Sequence, residues 1–478
     1  MTASELVDDV HSALNATRVR AVLRPRTEQE VVAALARARA GRLRLTAAGG
    51  RHAMGGQQFA TDGLLLDTGG LDRVGPVDAE RGLVEVGAGV QWPQLVAALA
   101  RQQAHLPPSR RWGVRQKQTG ADRFSIGGSV SVNAHGRGLA LPPMASDVES
   151  VRVVLPDGRA ADLSRDQEPD LFRAVLGGYG LFGVVVSVVL RLAPRRVLQR
   201  DVELATTEDL AECVAGRVGA GYLYGDLQPA VDAASPGFLR DGVFSCYRPA
   251  QTGGPDEDEG AEAVPGGQLA LSRGDWAELL ELAHRDKPGA FERYVRHYLA
   301  TSGQRYWSDT HQLADYEDGY HRRLDALLGG PPASEVIGEV YVPPAELAGF
   351  ARAAAEDLRE RAADVVYGTV RFVEADVDTA LPWARRRSAC LVLNLHTEHT
   401  PEGTARSAAA FQRLIDLALD RGGSYFLTYH RWARPDQLLR AYPELPAVVA
   451  HQREVDPHGL LHSDWYREHV LPAVASAP

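Results

Sequence analysis

The chain has 478 residues, 45% hydrophobic and 24% charged, with a formal net charge of −10. That length accommodates about two or three domains with cores of their own. The acidic balance excludes general phosphate-backbone binding, which needs a basic surface. Cys213, Cys246 and Cys390 are far apart with no CxxC pair, so neither a disulfide framework nor a cysteine zinc site is indicated.

The opening MTASELVDDVHSAL lacks the basic and apolar regions of a signal peptide, and no run of about 18 apolar residues occurs. The expectation is a soluble, cytoplasmic protein with no membrane or nucleic-acid partner. Lys117 and Lys287 are the only lysines among many arginines and alanines, a bias typical of GC-rich bacterial genomes.

In chain order, residues 22–50 predict strand, helix, strand, with Thr27 and Glu30 spaced as a capping box and Val31, Val32 and Leu35 on an apolar face. LLLD (64–67) and GLVEVGAGV (82–90) read as strands, and QWPQLVAALARQQ (91–103) as a helix. Residues 148–164 read as a hairpin turning at Pro156, Asp157 and Gly158. Residues 176–194 read as a glycine-rich loop and a long apolar strand. The acidic, Gly/Pro-rich segment 250–268 reads as a mobile surface loop. Four later segments read as strands of one sheet: 335–343, 365–375, 389–399 and 423–433. Helices separate them, notably 344–361 and 403–421.

Three loops of the first part are rich in glycine: 49–56, 127–138 and 177–183. Glycine lets a ligand approach backbone N–H groups, and successive N–H groups cradle anions. Three such loops in one α/β unit point to a large phosphate-bearing ligand. None is a Walker A motif, and none is a convincing GxGxxG opening a helix after the first strand.

GGRHAMGGQ (49–57) resembles the covalent-flavin loop of the vanillyl-alcohol oxidase/p-cresol methylhydroxylase superfamily. On that likeness His52 stands where a histidine bonds the flavin 8α-methyl, and Gln57 is the closing glutamine. Gly49, Gly50, Met54 and Gly56 complete the loop; Arg51 and Ala53 depart from the pattern, replacing a glycine and a serine. SIGGSVSVNAHGRG (125–138) resembles the second flavin loop of alditol oxidases and aldonolactone oxidoreductases. Gly127, Gly128, Ser129, His135, Gly136 and Gly138 match, with Ser131 and Asn133 between them. GLFGVVVSVVLRL (180–192) resembles the segment whose backbone meets adenine, at Gly183 and Val184. VDPHGLLHSDW (455–465) resembles the family's closing segment near the flavin, with Asp464 as its candidate contact.

The resemblance implies an α+β flavoprotein of two domains. These are an N-terminal mixed α/β FAD-binding domain of two subdomains (17–195) and a substrate domain built on an antiparallel sheet flanked by helices (196–440). Residues 441–478 return to the first domain. FAD is the implied cofactor, attached covalently through His52; the alternative for His52 is a turn histidine that only hydrogen-bonds the loop. No metal is expected. A likeness to D-lactate-type dehydrogenases in NLH (394–396) leaves too few ligands for a site.

The cofactor carries the electron chemistry, so the protein must orient the donor and manage its proton. In the resemblance to alditol oxidases, Arg371 stands where a strand arginine would polarise a substrate oxygen or stabilise reduced flavin, and Thr369 replaces that motif's glutamate. His396, Tyr429 and His430 are the other catalytic candidates, as groups able to take a hydroxyl proton. The expected activity is an oxidase or dehydrogenase removing hydride from a CH–OH donor: a sugar, polyol, lactone or hydroxylated secondary metabolite. The resemblance to aldonolactone enzymes implies molecular oxygen as the acceptor, because Gly127 aligns with their position where a small residue admits oxygen. The alternatives are a flavin-dependent desaturase or reductase of a natural product, a metal-bearing D-2-hydroxy acid dehydrogenase, or a non-catalytic flavin-binding relic. The sequence does not name the substrate or the oligomeric state.

Overall fold

The computed structural model describes residues 4–250, 264–314 and 319–476. Most of the acidic segment 250–268 lies outside these residues. Among the described residues five sheets and their helices make up a mixed α/β molecule; two of the sheets are two-stranded, and the other three position the site.

The first sheet is parallel. Its central strand Leu64–Asp67 lies between Ala21–Leu23 and Leu45–Ala48. Parallel neighbours need a crossover, and the helix Glu28–Ala40 supplies it. It starts where Thr27 Oγ1 accepts the Glu30 N–H at 3.2 Å. Only half of the expected box forms, because the Glu30 carboxylate accepts from Arg26 N at 2.6 Å. Val31, Ala34, Leu35 and Ala38, spaced at helical period, face the core.

The second sheet is antiparallel, in the order 160–164, 148–154, 184–191, 83–87, 74–78. Its hairpin turns through Gly158 at φ +89°, a left-handed conformation that glycine adopts without strain.

The third sheet has eight antiparallel strands, in the order 305–307, 197–206, 241–249, 224–229, 365–373, 388–398, 333–342, 424–425. On the Gly338 side of this sheet, the helix Pro401–Leu419 packs so closely that a Cβ at Gly338 would lie 2.0 Å from the Phe411 ring. The opposite side carries Glu335, Glu339 and Tyr341, since alternate residues of a strand share a face.

The register on that opposite side aligns one polar row. Asp226 pairs with Ser245 and Leu227 with Val370, which sets Asp226 beside Arg371; Cys390 then pairs with both Arg371 and Tyr341. Five strands thus contribute Ser245, Asp226, Arg371, Cys390 and Tyr341 to a single line.

The segment 423–433 differs from its reading as a strand. Pairing covers only Ser424–Tyr425, and residues 427–429 form a turn. The carbonyls of Leu427 and Thr428 turn away from the sheet and accept from Gln57 Nε2 (2.6 Å) and Gly55 N (3.0 Å). The chain end is fastened to the first sheet: Leu460 O accepts from Leu45 N at 2.8 Å, and Asp464 pairs with Arg44 at 2.5 Å and accepts from Thr61 N at 2.7 Å.

Candidate flavin cleft

The three glycine loops meet in one cleft, roughly 1130 Å³ including space open to solvent. The first loop leaves the parallel sheet after Ala48 and turns at Arg51 (φ +57°) and Gly56 (φ +71°). It is held from both sides. Asn15 Nδ2 donates to Met54 O at 2.6 Å, and the 427–428 turn takes the two bonds described above. His52 is buried; its Nδ1 lies 2.7 Å from His11 Nε2, and its ring centre lies 4.2 Å from that of Phe124. Burial, reinforced by the neighbouring His52 and His321, holds the pKa of His11 well below the usual imidazole range.

The second loop opens the short helix Ile126–Ser131, where Ser125 Oγ accepts the Gly128 N–H at 3.2 Å. Gly127 N donates to Ala88 O at 2.8 Å, and a Cβ at Gly127 would sit 2.7 Å from Ala88 Cβ. The missing side chain of Gly127 is therefore explained by close packing on Ala88. The third loop contributes Tyr179, Gly180 and Gly183 to the lining.

Of the cofactor contacts expected from sequence, the lining includes Gly49, Gly50, Arg51, His52, Ala53 and Gln57 from the first loop. From the others it includes Gly127, Gly128, Ser129, Ser131, His135 and Gly183. Met54, Gly56, Asn133, Gly136, Gly138, Val184 and Asp464 are not part of the lining. Asn133, for instance, is committed to the scaffold: its Nδ2 donates to Asp376 at 2.9 Å and its Oδ1 accepts from Ala145 N at 2.9 Å.

Of the four catalytic candidates, Arg371 and Tyr429 line the cleft, and His396 and His430 do not. His430 packs against both Phe411 and Trp432, and burial pushes its pKa down to about 3. His396 is directed toward Glu335, its partner across the strands, with Nδ1 3.2 Å from Oε1.

Beneath Arg371 and Tyr429 lies a buried acid that sequence reasoning missed. The Glu339 carboxylate bonds His135 Nε2 and accepts from Tyr341 Oη at 2.5 Å and Cys390 Sγ at 3.0 Å. Burial raises its pKa, but the charge of His135 and these hydrogen bonds outweigh burial and hold it at about 2. Burial also works against the charge of Arg371; the Asp226 and Glu339 carboxylates overcome it, and the guanidinium stays ionised. Tyr429 is raised well above the phenol range by burial and by Glu339, which keeps its hydroxyl neutral.

Lys117 was also missed. It is buried against Asp122 (3.0 Å), and burial lowers its pKa to about 8. Its signal was rarity, as one of two lysines in the chain.

Four buried polar atoms of the cleft lining have no hydrogen-bond partner among the described residues: Gln57 Oε1, Gln58 Oε1, Thr119 Oγ1 and Arg371 Nε. Buried polar groups are normally satisfied, so this surface is complementary to a polar ligand. FAD fits that demand, with glycine loops for its phosphates and polar and aromatic side chains for its ring system.

Comparison with known proteins agrees. Residues 19–164 match the FAD binding domain family. The chain is 34% identical over 140 residues to a mitochondrial L-galactono-1,4-lactone dehydrogenase of Brassica oleracea, covering 29% of this chain and 22% of that protein. It is 32% identical over 200 residues to an L-gulono-1,4-lactone dehydrogenase of Mycobacterium tuberculosis, covering 41% and 44%. It is 28% identical over 172 residues to a putative D-arabinono-1,4-lactone oxidase of Neurospora crassa, covering 36% and 29%. The matches span less than half the length of these relatives. The N-terminal part of the chain is thus an FAD-binding domain of the kind found in the vanillyl-alcohol oxidase/p-cresol methylhydroxylase superfamily, and its named relatives are aldonolactone dehydrogenases and oxidases. No helix among the described residues is long and apolar enough to cross a membrane.

Proposed function

We propose that the protein is an FAD-dependent oxidoreductase that removes hydride from the carbinol carbon of a hydroxylated donor such as a sugar, polyol or aldonolactone. The observation that carries this reading is the convergence of the three glycine loops with Arg371 and Tyr429 on one cleft. Bound FAD supplies the hydride acceptor there.

The chain's own residues then divide the remaining work. Arg371 Nε, unpartnered and charged, donates to the donor's reacting oxygen and stabilises negative charge developing on it. The neutral Tyr429 hydroxyl both donates and accepts, and so orients that hydroxyl. Further along the sheet, Asp226 Oδ1, 3.7 Å from Arg137 Nη1, and Gln228 Oε1 are buried acceptors with no hydrogen bond among the described residues, suited to the other hydroxyls of a polyhydroxylated donor. They share a sheet face with Arg371, which links substrate recognition to the reacting centre. A desaturase or reductase would use the same cleft, but this row of hydroxyl-reading groups favours the CH–OH donor. Residues 17–195 serve cofactor binding in this reading, 196–440 substrate binding, and 441–478 the return to the first part.

The test is anaerobic mixing of the flavin-loaded protein with a panel of polyols, aldoses and aldonolactones. At least one donor bleaches the oxidised flavin band at a saturable rate; no bleaching by any of them overturns the reading. Air-saturated buffer then reoxidises the reduced protein faster than it does free reduced flavin, if oxygen is the acceptor.

Covalent attachment through His52 is a separate proposal. Its support is the loop match, together with a buried ring that lines the cleft and is held at Nδ1 by His11. After acid precipitation the flavin stays with the polypeptide, and His52→Ala releases it to the supernatant. Free FAD from the unmutated protein rules out the bond and leaves the cleft assignment standing.

A further inference from the structure

His284, Glu335 and His396 come together outside the flavin cleft. His284 lies in the last turn of the helix Arg273–Arg285, while Glu335 and His396 face each other across adjacent strands. Their donor atoms all lie within 4.8 Å of one another. His284 Nε2 is 3.0 Å and His396 Nδ1 is 3.2 Å from Glu335 Oε1. Glu335 sits four residues before Glu339 on its strand, roughly 13 Å away at about 3.3 Å per residue. None of the three lines the cleft.

We propose that these three residues form a binding site for a divalent cation of the zinc type. Two imidazoles and a carboxylate are a donor set that such an ion accepts, with metal–ligand bonds of about 2.0–2.2 Å. Bonds of that length at a tetrahedral angle separate donor atoms by about 3.3 Å, close to the two spacings observed.

A simple ion triad leaves a residue of unsatisfied groups. The Glu335 side chain is 3% exposed, yet its Oε2 has no hydrogen-bond partner among the described residues. His284 Nε2, equally buried, lies 3.0 Å from Glu335 Oε1 and has no other polar partner among the described residues. A cation between them satisfies both at once. The local field also suits a cation. His284 is at the negative end of its helix, and the Asp364 and Glu398 carboxylates act on His396 in addition to Glu335. The nearby Lys287 is paired with Asp364 at 2.7 Å. His396 keeps 21% of its side chain exposed, which gives the ion a route in and a position for water. The ion would fasten the helix 273–285 to the two strands.

The test uses the untagged full chain, stripped with a chelator, loaded with Zn²⁺ or Co²⁺, and separated from free metal by gel filtration. One equivalent of metal per chain remains with the wild type, and the Co²⁺ form has the intense visible bands of four-coordinate geometry. His284→Gln and His396→Gln each retain less than a tenth of that metal while keeping the wild-type circular dichroism spectrum. Substoichiometric metal in the wild type, a weak six-coordinate Co²⁺ spectrum, or undiminished metal in both variants overturns the site. The wild-type readings stand even if a variant fails to fold. They are also independent of the flavin, so failure of the oxidoreductase reading leaves this site untouched.

Discussion

Replacing Arg371 with methionine lowers kcat by about 10²–10³-fold, the range seen when one preorganised donor to a developing oxyanion is lost. Methionine preserves much of the length and apolar stem of the side chain and removes only the guanidinium. The loss falls on kcat and kcat/KM together, because the interaction strengthens as charge builds on the oxygen. Arg371→Lys keeps a charge but not the planar fork and recovers part of the rate. Flavin content, read from the protein's visible spectrum, stays within twofold of wild type in both variants, since the phosphates are assigned to the glycine loops. A decrease of less than tenfold in the methionine variant removes Arg371 from the reaction. A matched loss of flavin makes it part of the cofactor site instead.

Arg371 was legible in the sequence, and its partners were not, for a physical reason. A motif exposes what is close along the chain, and the flavin loops are local: each is a run of glycines with its polar residue inside. The polar row on the large sheet is a product of register. Asp226, Gln228 and Glu339 sit in short segments, GDLQP and IGEVY, with nothing unusual in isolation. They acquire meaning only when three antiparallel pairings set them beside Arg371 and Cys390. A one-residue slip would have turned each to the other face.

The 423–433 segment fails in the opposite way. Its run of aromatic and apolar residues has the composition of a strand, and the sheet does begin there. Two residues later its carbonyls find better use on the loop that carries His52. That exchange removes His430 from the cleft and leaves Tyr429 in it. His396 was correctly read as part of a strand, but it lies outside the cleft lining, because strand periodicity fixes the face and not the position along it.

Glu339→Ala is the substitution expected to cost the most stability, about 3–5 kcal/mol at neutral pH, the usual penalty for removing one partner of a buried charged pair. His135, Tyr341 and Cys390 all direct polar groups at this carboxylate, and its deletion leaves them facing a cavity. The pH dependence gives the prediction its sign. Folding lowers the pKa of Glu339 from 4.5 to about 2. A carboxylate depressed in this way contributes stability that is fully present above about 4.5 and is lost as pH falls through 2, on the order of 3 kcal/mol in all. Urea unfolding of the wild type and Glu339→Ala should therefore differ at pH 5, above the range in which Glu339 is protonated. The gap should narrow from pH 4.5 downwards, as the wild type surrenders the same contribution by protonation. His135→Ala should reproduce much of the loss, and the double variant should cost less than the sum of the two, because the second substitution removes a partner already orphaned. A gap that is unchanged between pH 5 and pH 3, or strict additivity of the two substitutions, means that Glu339 and His135 do not act as a charged pair.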